Sequence, residues 1–108
     1  MSLEDISALF GNLLENAVDS SAGVPNAYIE LSIRQIESNQ LLISMINSCS
    51  SVPKKSSAGE YLSKKREFQK HGFGMRSIKK VVKKYHGSVN TYHSGEDQTF
   101  HTVITMYV

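Results

Sequence analysis

The apolar residues near the N-terminus recur at spacings of three and four, which is the period of one face of an α-helix. Between Asp5 and Asp19 these residues are Ile6, Leu9, Phe10, Leu13, Leu14 and Ala17. Residues 20–26 then gather serine, glycine, proline and asparagine, and proline cannot continue a helix. The pattern predicts an amphipathic helix from Asp5 to Asp19, followed by a loop.

Two pairs of shorter segments follow the period of β-strands. In the first pair, apolar and polar residues mostly alternate from Tyr28 to Ile36, and a short apolar run covers residues 41–46 after a turn at 37–40. In the second pair, residues 88–93 and 99–108 alternate on either side of a turn at 94–97. Each pair predicts an antiparallel hairpin.

A long polar connection and a second amphipathic segment separate the two hairpins. Apolar residues at 75, 78, 81, 82 and 85 predict a helix from Met75 to Tyr85, and His86 and Gly87 form a natural stop. Residues 47–70 show no sustained hydrophobic period. A connection of this length in a compact domain is typical of a lid or binding loop.

The order of these elements indicates the fold class. Helix, hairpin, lid, helix and hairpin predict an α+β sandwich in which two helices cover one face of a sheet. A chain of 108 residues is long enough for one modest core and too short for a second folded domain. We therefore expect a single domain over residues 1–108.

The composition is that of a soluble globular protein. Hydrophobic residues make up 40% and charged residues 20% of the chain, and no apolar run approaches the roughly 20 residues of a membrane span. The single cysteine, Cys49, cannot form an internal disulfide, which fits a reducing compartment. A cytosolic setting is the default expectation.

The charges are segregated although the net charge is only +2. Residues 54–84 hold eleven basic and two acidic side chains, a balance of +9, whereas the rest of the chain holds one basic and eight acidic side chains, a balance of −7. Such segregation favours an anionic partner for the basic segment. Nucleic acid, an anionic membrane and a polyphosphate are all open at this point, and a solvated lysine-rich face is the alternative.

Three polar residues on the first predicted helix fall on one line. Asn12, Asn16 and Asp19 are spaced i, i+4 and i+7, so a single ligand could contact all of them. Asparagine beside a buried face lowers stability unless its amide finds partners. Mg²⁺ takes one or two protein oxygens together with water and substrate phosphates, so an asparagine oxygen is a plausible ligand. The alternative is a pair of surface or capping amides.

Two further motifs suggest a nucleotide. Gly72 and Gly74, within the sequence His71-Gly72-Phe73-Gly74, precede the basic helix, where backbone N–H groups can approach a phosphate. The motif is not a P-loop, and an ordinary flexible hinge is the alternative. Asn47 ends the second predicted strand, and its amide could pair with the edge of adenine. A turn-forming asparagine is the alternative there.

Taken in order, these motifs resemble the nucleotide-binding domain of the GHKL superfamily, which includes gyrase-type ATPases and histidine kinases. The sequence is most similar to the ATP-binding catalytic domain of sensor histidine kinases, especially the peptide-pheromone sensors of the accessory-gene-regulator and competence type. The resemblance covers nearly the whole chain. It implies the Bergerat-type α/β sandwich, a mixed and mostly antiparallel sheet, and an ATP lid at about residues 48–71.

The resemblance also implies roles for individual residues. Asn16 corresponds to the Mg²⁺ ligand, and Asn12 stands where gyrase-like hydrolases have a general-base glutamate. An amide cannot take up a proton at neutral pH, so this exchange favours holding ATP for transfer over hydrolysing it. The other residues expected to contact ATP are Asp19, Asn47, Ser48, Lys64, Lys65, Lys70, His71, Gly72, Gly74 and Met75.

Three residues depart from the family pattern. Asn47 and Ser48 stand where most kinases have an aspartate box, so adenine recognition would depend on an amide. Met75 replaces the usual leucine, which is a tolerated exchange between hydrophobic residues of similar size. A strand that often precedes the first helix is missing, which suggests a piece of a longer protein.

The function implied by the resemblance is transfer of the γ-phosphoryl group of Mg-ATP to a histidine on a separate dimerisation domain, and then to a response regulator. None of the four histidines sits on a long helix beside an acidic residue, so we expect no phosphoacceptor in this chain and no autophosphorylation. We expect no nucleic-acid partner. The domain would be the cytoplasmic part of a bacterial membrane sensor, with membrane attachment through a missing N-terminal region.

Three alternatives stay open from the sequence alone. An anti-sigma-factor serine kinase shares the fold and the two asparagines of the first helix. A nucleic-acid-binding module would use the basic helix, although aromatic residues are sparse around it. A degenerate pseudokinase would transmit conformational change without transferring phosphate.

Overall fold

The computed structural model describes residues 1–49 and 73–108. These ranges contain two helices and four strands in the predicted order: α1 Leu3–Ser21, β1 Ile29–Glu37, β2 Gln40–Ser48, α2 Phe73–Lys84, β3 Ser88–Ser94 and β4 Thr99–Tyr107. The predicted lid, residues 48–71, lies almost wholly outside the described residues.

Helix α1 is longer than its hydrophobic pattern predicts. It begins at Leu3 because Ser2 caps it, with the Ser2 hydroxyl accepting a hydrogen bond from the Asp5 backbone N–H. The apolar residues that it buries, Leu9, Leu13 and Ala17, follow the predicted helical spacing, whereas Ile6 and Leu14 of the same predicted face are 40% and 43% exposed. The predicted apolar face therefore points into the core, as expected.

The four strands form one sheet in the order β1-β2-β4-β3, and all three strand pairings among the described residues are antiparallel. Ile43 on β2 lies opposite Ile104 on β4, and Met45 lies opposite Thr102. These residues point to the face that the helices cover. The two-layer α+β architecture predicted from the sequence is confirmed.

The core lies between the two helices and the inner face of the sheet. Helix α1 packs against β2, and α2 packs against β3 and β4. Asp5 at the start of α1 is bonded to Tyr85 just after α2, so the two helices run side by side in opposite directions. The buried apolar cluster consists of Leu9, Leu13, Ala17, Ile43, Met45, Met75, Ile78, Val81, Val82, Ile104 and Met106.

The predicted end of α2 at His86 and Gly87 is confirmed. Gly87 is required there because no side chain fits, and not because its backbone is left-handed. His86, not Gly87, takes the left-handed conformation, with a φ of 56°. The Gly87 N–H donates to the Val82 carbonyl at 2.9 Å and the His86 N–H donates to the Lys83 carbonyl at 3.0 Å, which is a Schellman motif. A Cβ on Gly87 would lie 2.0 Å from the Thr105 carbonyl oxygen, so the backbone of β4 excludes any side chain.

We predict that Gly87→Ala destabilises the fold by about 2 kcal/mol or more, because the added methyl group overlaps β4. Gly11→Ala is the matched control. Gly11 lies within α1 with open space around it, and alanine there is expected to stabilise the helix by about 0.5–1 kcal/mol. Urea unfolding of both variants measures the two effects. Equal stabilities would contradict the close contact at Gly87.

A polar cluster joins the start of α1 to the end of α2. The Asp5 carboxylate accepts hydrogen bonds from the Tyr85 hydroxyl at 2.5 Å and from the Lys84 ammonium at 2.9 Å. These bonds lower the pKa of Asp5 from 3.8 to about 2, with the Tyr85 hydroxyl as the largest cause and Lys84 as the next. In return, Asp5 raises the pKa of Lys84.

The lowered pKa of Asp5 predicts a pH dependence of stability. Because the folded protein holds the carboxylate more strongly than the unfolded chain does, this stabilisation is complete above about pH 4 and is lost as the pH falls toward 2. Asp5→Asn should therefore unfold at lower urea concentration than the native chain at pH 7, and the difference should shrink between pH 4 and pH 2. Asp97→Asn, an exchange at an exposed turn residue, is the control. A difference that stays constant with pH would rule out the proposed role of the carboxylate.

Candidate functional site

The N-terminus of α2 lies directly against two asparagines of α1. A Cβ placed on Gly74 would lie 3.0 Å from Asn16 Oδ1 and 3.4 Å from Asn12 Oδ1. Gly74 is 58 positions from Asn16 and 62 from Asn12 in the chain, and the antiparallel packing of the helices brings them together. The structure thus joins the two motifs that the sequence analysis treated separately.

The orientation of the asparagines follows from their partners. Asn12 Nδ2 donates to the Ala8 carbonyl at 2.6 Å, which fixes the amide and leaves Asn12 Oδ1 on the side of Gly74. Among the residues that the structure describes, the half-buried Asn16 side chain makes no hydrogen bond. An amide of this kind gains from a polar ligand.

The absence of a side chain at Gly74 shapes the space between the helices. Gly74 is buried, and a methyl group at 3.0 Å from Asn16 Oδ1 would force the amide to shift. Backbone N–H groups in the first turn of a helix carry partial positive charge and lack partners within the helix. An anion with a bound cation could therefore contact the first turn of α2 and the Asn16 oxygen together.

The exposed surface of α2 is basic. No acidic residue lies in its first turn, and exposed cations follow its outer side at Arg76, Lys79, Lys80 and Lys83. These charges raise the local concentration of anions near the start of the helix. In the described part of residues 54–84, these basic side chains thus lie on the exposed surface of α2.

The polar end of β2 is organised by hydrogen bonds to its neighbours. Asn47 is 2% exposed and its Nδ2 donates to the Ser48 carbonyl at 3.0 Å. The Ser48 hydroxyl accepts from the Tyr28 N–H at 3.0 Å, and the Ser48 N–H donates to the Tyr28 carbonyl at 3.1 Å. Ser48 thus joins the start of β1 to the end of β2, a structural role that the sequence analysis did not foresee.

Thr102 is a polar residue that the sequence analysis overlooked. It is buried on the inner face of β4, beside Phe100, which lies directly opposite Asn47. The inward positions of β4 are otherwise apolar, since Phe100, Ile104 and Met106 are the other members of that row. A single hydroxyl in an apolar row was the signal that could have identified it.

The remaining predicted site residues divide into two groups. Asp19 is buried on α1, and the Met75 side chain belongs to the apolar core, where it packs between the helices and the sheet. The others lie outside the described residues: Lys64, Lys65, Lys70, His71 and Gly72. Their predicted contacts with ATP stay predictions.

Two searches of the described ranges, 1–49 and 73–108, gave negative results. No group of three or more His, Cys, Asp and Glu side chains is placed to hold a metal ion. No helix in these ranges combines the length and the apolar character needed to cross a bilayer.

Comparison with protein families gives one match over almost the whole chain. The profile of the family described as "GHKL domain" matches residues 1–106. No curated protein matches the chain significantly.

Three solved structures that superpose on the chain are histidine kinases or domains of histidine kinases. A mycobacterial sensor histidine kinase, MprB, superposes with a TM-score of 0.72 at 15% identity, over 99% of this chain and 74% of that one. The catalytic domain of histidine kinase ThkA gives 0.69 at 17% identity, over 96% of this chain and 66% of that one. The histidine kinase domain of a blue-light-activated kinase from Erythrobacter litoralis gives 0.70 at 16% identity, over 95% and 43%.

Proposed function

The chain belongs to the GHKL domain family, and we propose that it is the ATP-binding catalytic domain of a sensor histidine kinase. It would hold Mg-ATP so that the γ-phosphoryl group can be transferred to a histidine on a separate dimerisation domain, and from there to a response regulator. The observation that carries the proposal is the close approach of Gly74 to the amides of Asn12 and Asn16, which a Cβ on Gly74 would contact.

Asn16 is the proposed protein ligand of the magnesium ion. Its oxygen faces the first turn of α2, which is where the nucleotide phosphates would meet backbone N–H groups. Magnesium neutralises charge on the phosphates during phosphoryl transfer. Asn16 would hold the ion, and the lack of a side chain at Gly74 would leave space for the phosphates.

Asn12 bears on the choice between transfer and hydrolysis. Its amide is fixed by the Ala8 carbonyl and lies beside Gly74, close to the proposed phosphates. Because a neutral amide cannot accept a proton, Asn12 cannot activate water as a carboxylate would at this position. The site therefore favours retention of ATP until an acceptor histidine arrives.

Asn47 is the proposed contact for adenine. It is buried at the end of β2, with Phe100 opposite it and Thr102 next along the same face of the sheet. One Nδ2 hydrogen is used by the Ser48 carbonyl, and the second hydrogen and the carbonyl oxygen suffice to pair with a base edge. We propose that four residues of the lid contact the nucleotide: Lys64, Lys65, Lys70 and His71. Gly72 is proposed to lie at the phosphates with Gly74, and Asp19 to contact ATP from α1.

The partners and setting follow from the same proposal. We infer a peptide-pheromone sensor of the accessory-gene-regulator or competence type, whose cytoplasmic part includes this domain in a bacterial membrane protein. The chain on its own should bind ATP without autophosphorylating, because no histidine in it has the setting of a phosphoacceptor. The basic outer side of α2 needs no nucleic acid to account for it, since an adjacent protein domain or solvent suffices.

We predict that Asn16→Ala removes the magnesium-dependent part of ATP binding. A fluorescent ATP analogue should bind the native chain more tightly with Mg²⁺ than with EDTA, and the variant should lose at least about tenfold in affinity with Mg²⁺, since even outer-shell changes at metal sites cost 10–100-fold. The affinities of the two proteins in EDTA should be similar, because the ion is then absent from both.

Two further variants make this test specific. Gly74→Ala should weaken binding through displacement of the Asn16 amide, because its methyl group would lie 3.0 Å from Asn16 Oδ1. Asn90→Ala removes an exposed asparagine of β3 and should bind the analogue like the native chain. If Asn16→Ala kept its full magnesium response, the proposed metal site would be wrong.

A further inference from the structure

The histidine of β3 has a buried ring nitrogen. Within residues 1–49 and 73–108, the Nε2 atom of His93 is buried and forms no hydrogen bond. In either tautomer of the neutral imidazole ring, Nε2 is a hydrogen-bond donor or acceptor. Such an atom destabilises the folded chain, because its bonds to water are lost and not replaced. A buried polar atom of this kind is one signature of a site that binds a polar ligand.

His101 on the neighbouring strand shows the contrast. It lies opposite Tyr92 on the outer face of the sheet, and the two rings stack with their centroids 4.4 Å apart and an interplanar angle of 9°. Its Nε2 atom lies 2.9 Å from Thr99 Oγ1, within hydrogen-bond distance. The outward histidine of this hairpin therefore has partners, whereas the Nε2 atom of the inward His93 has none in the part of the chain that the structure describes.

The inner face of the sheet changes from apolar to polar along its strands. Near the middle of the sheet, Ile43, Ile104 and Val89 form an apolar row across β2, β4 and β3. Toward the end of β2 the inner positions of these strands become mostly polar, and this group consists of Asn47, Phe100, His93, Thr102 and Thr91. Polar side chains beneath a layer of helices are costly unless they find partners, so this end of the sheet is suited to a polar ligand.

The polar end of the sheet lies beneath the start of α2. Helix α2 leads directly into β3 and packs against it, so the two elements run in opposite directions. From Lys84 back to Gly74 the helix rises about 15 Å, at about 1.5 Å per residue. From Ser88 forward to His93 the strand covers about 17 Å, at about 3.3 Å per residue. His93 therefore lies at the level of Gly74, which approaches Asn16.

We propose that His93 contacts the sugar of the bound nucleotide, with its Nε2 atom forming a hydrogen bond to a ribose hydroxyl. This inference rests on the proposed function, in which Asn47 contacts the base and the first turn of α2 contacts the phosphates. The sugar joins these two parts of the nucleotide, and its place is over Phe100, which lies between Asn47 and His93 in their row. A hydroxyl both donates and accepts, so it suits Nε2 in either tautomer.

The contact would add a specificity that the asparagines do not supply. Asn47 and Asn16 are proposed to meet the base and the metal ion, and ATP shares both with its deoxy forms. A site that hydrogen-bonds a ligand hydroxyl rejects the analogue that lacks it, because the polar atom of the protein is then left unpaired. The site should therefore prefer a ribonucleotide over the deoxy form that lacks the bonded hydroxyl.

Calorimetric titration with ATP, 2′-deoxy-ATP and 3′-deoxy-ATP tests the contact without a label on the sugar. In the native chain, the deoxy form that lacks the bonded hydroxyl should bind about threefold to tenfold more weakly than ATP, which is the usual size of one hydrogen bond. His93→Phe should bind ATP more weakly by a similar factor and should lose the preference. His101→Phe is the matched control, because its ring lies on the outer face, and it should behave like the native chain.

Two further measurements separate a ligand contact from a structural role. Without nucleotide, His93→Phe should unfold at the same or a higher urea concentration than the native chain, because it removes the unpaired nitrogen and keeps a ring. His93→Gln places an amide near the position of the imidazole Nε2 and should retain the preference for ATP. If His93→Gln and His93→Phe lost the preference equally, the hydrogen bond would be wrong.

The outcomes also distinguish this contact from the proposed function. A native chain that bound no ATP would overturn the proposed function, and the sugar contact with it. A native chain that bound ATP with the magnesium response of Asn16, but treated ATP and both deoxy forms alike, would overturn the sugar contact alone. The same holds if His93→Phe kept the preference of the native chain.

Discussion

The close approach of α2 to α1 is the constraint on which the site depends. At one end of the helix pair, Gly74 has no side chain, so the first turn of α2 reaches the amides of Asn12 and Asn16. At the other end, the Asp5 carboxylate binds both Lys84 and Tyr85. These two contacts set the distance between the antiparallel helices. The apolar core that lies between the helices and the sheet sets the distance of the helices from β2 and β4.

The chemistry of the proposed site follows from the presence of asparagine amides, at positions 12 and 16, in place of carboxylates. An asparagine oxygen can ligate magnesium without adding a negative charge beside the phosphates, and it cannot remove a proton from water. The basic outer side of α2 adds to the attraction for an anion, but these side chains lie on the solvent side of the helix. In the proposed site, selection of the ligand would therefore depend on the few polar groups between the helices, and the surrounding charge would assist binding.

The hydrophobic pattern predicted all six elements in their order, although β1 and β3 contain no fully buried residue and Ile6 and Leu14 of α1 are exposed. The pattern could not predict that β1 is exposed. Alternation distinguishes the two faces of a strand, but it does not show whether another element covers either face. The glycine at position 87 was expected as a stop, but its contact with β4 depends on how α2 meets the sheet. The hydrogen bonds of Ser48 to Tyr28 and the position of Thr102 beside Phe100 depend on which residues lie opposite each other in the sheet, and the pattern of one strand alone does not show this.

The most direct test of the central claim is an NMR titration of the isotopically labelled chain with ATP, with and without Mg²⁺. The claim predicts that the backbone amide signal of Gly74 and the side-chain amide signals of Asn12 and Asn16 shift together, with one dissociation constant, and that the Asn16 shift requires magnesium. Shifts confined to the exposed lysines of α2, with Gly74 and both asparagines unchanged, would contradict it.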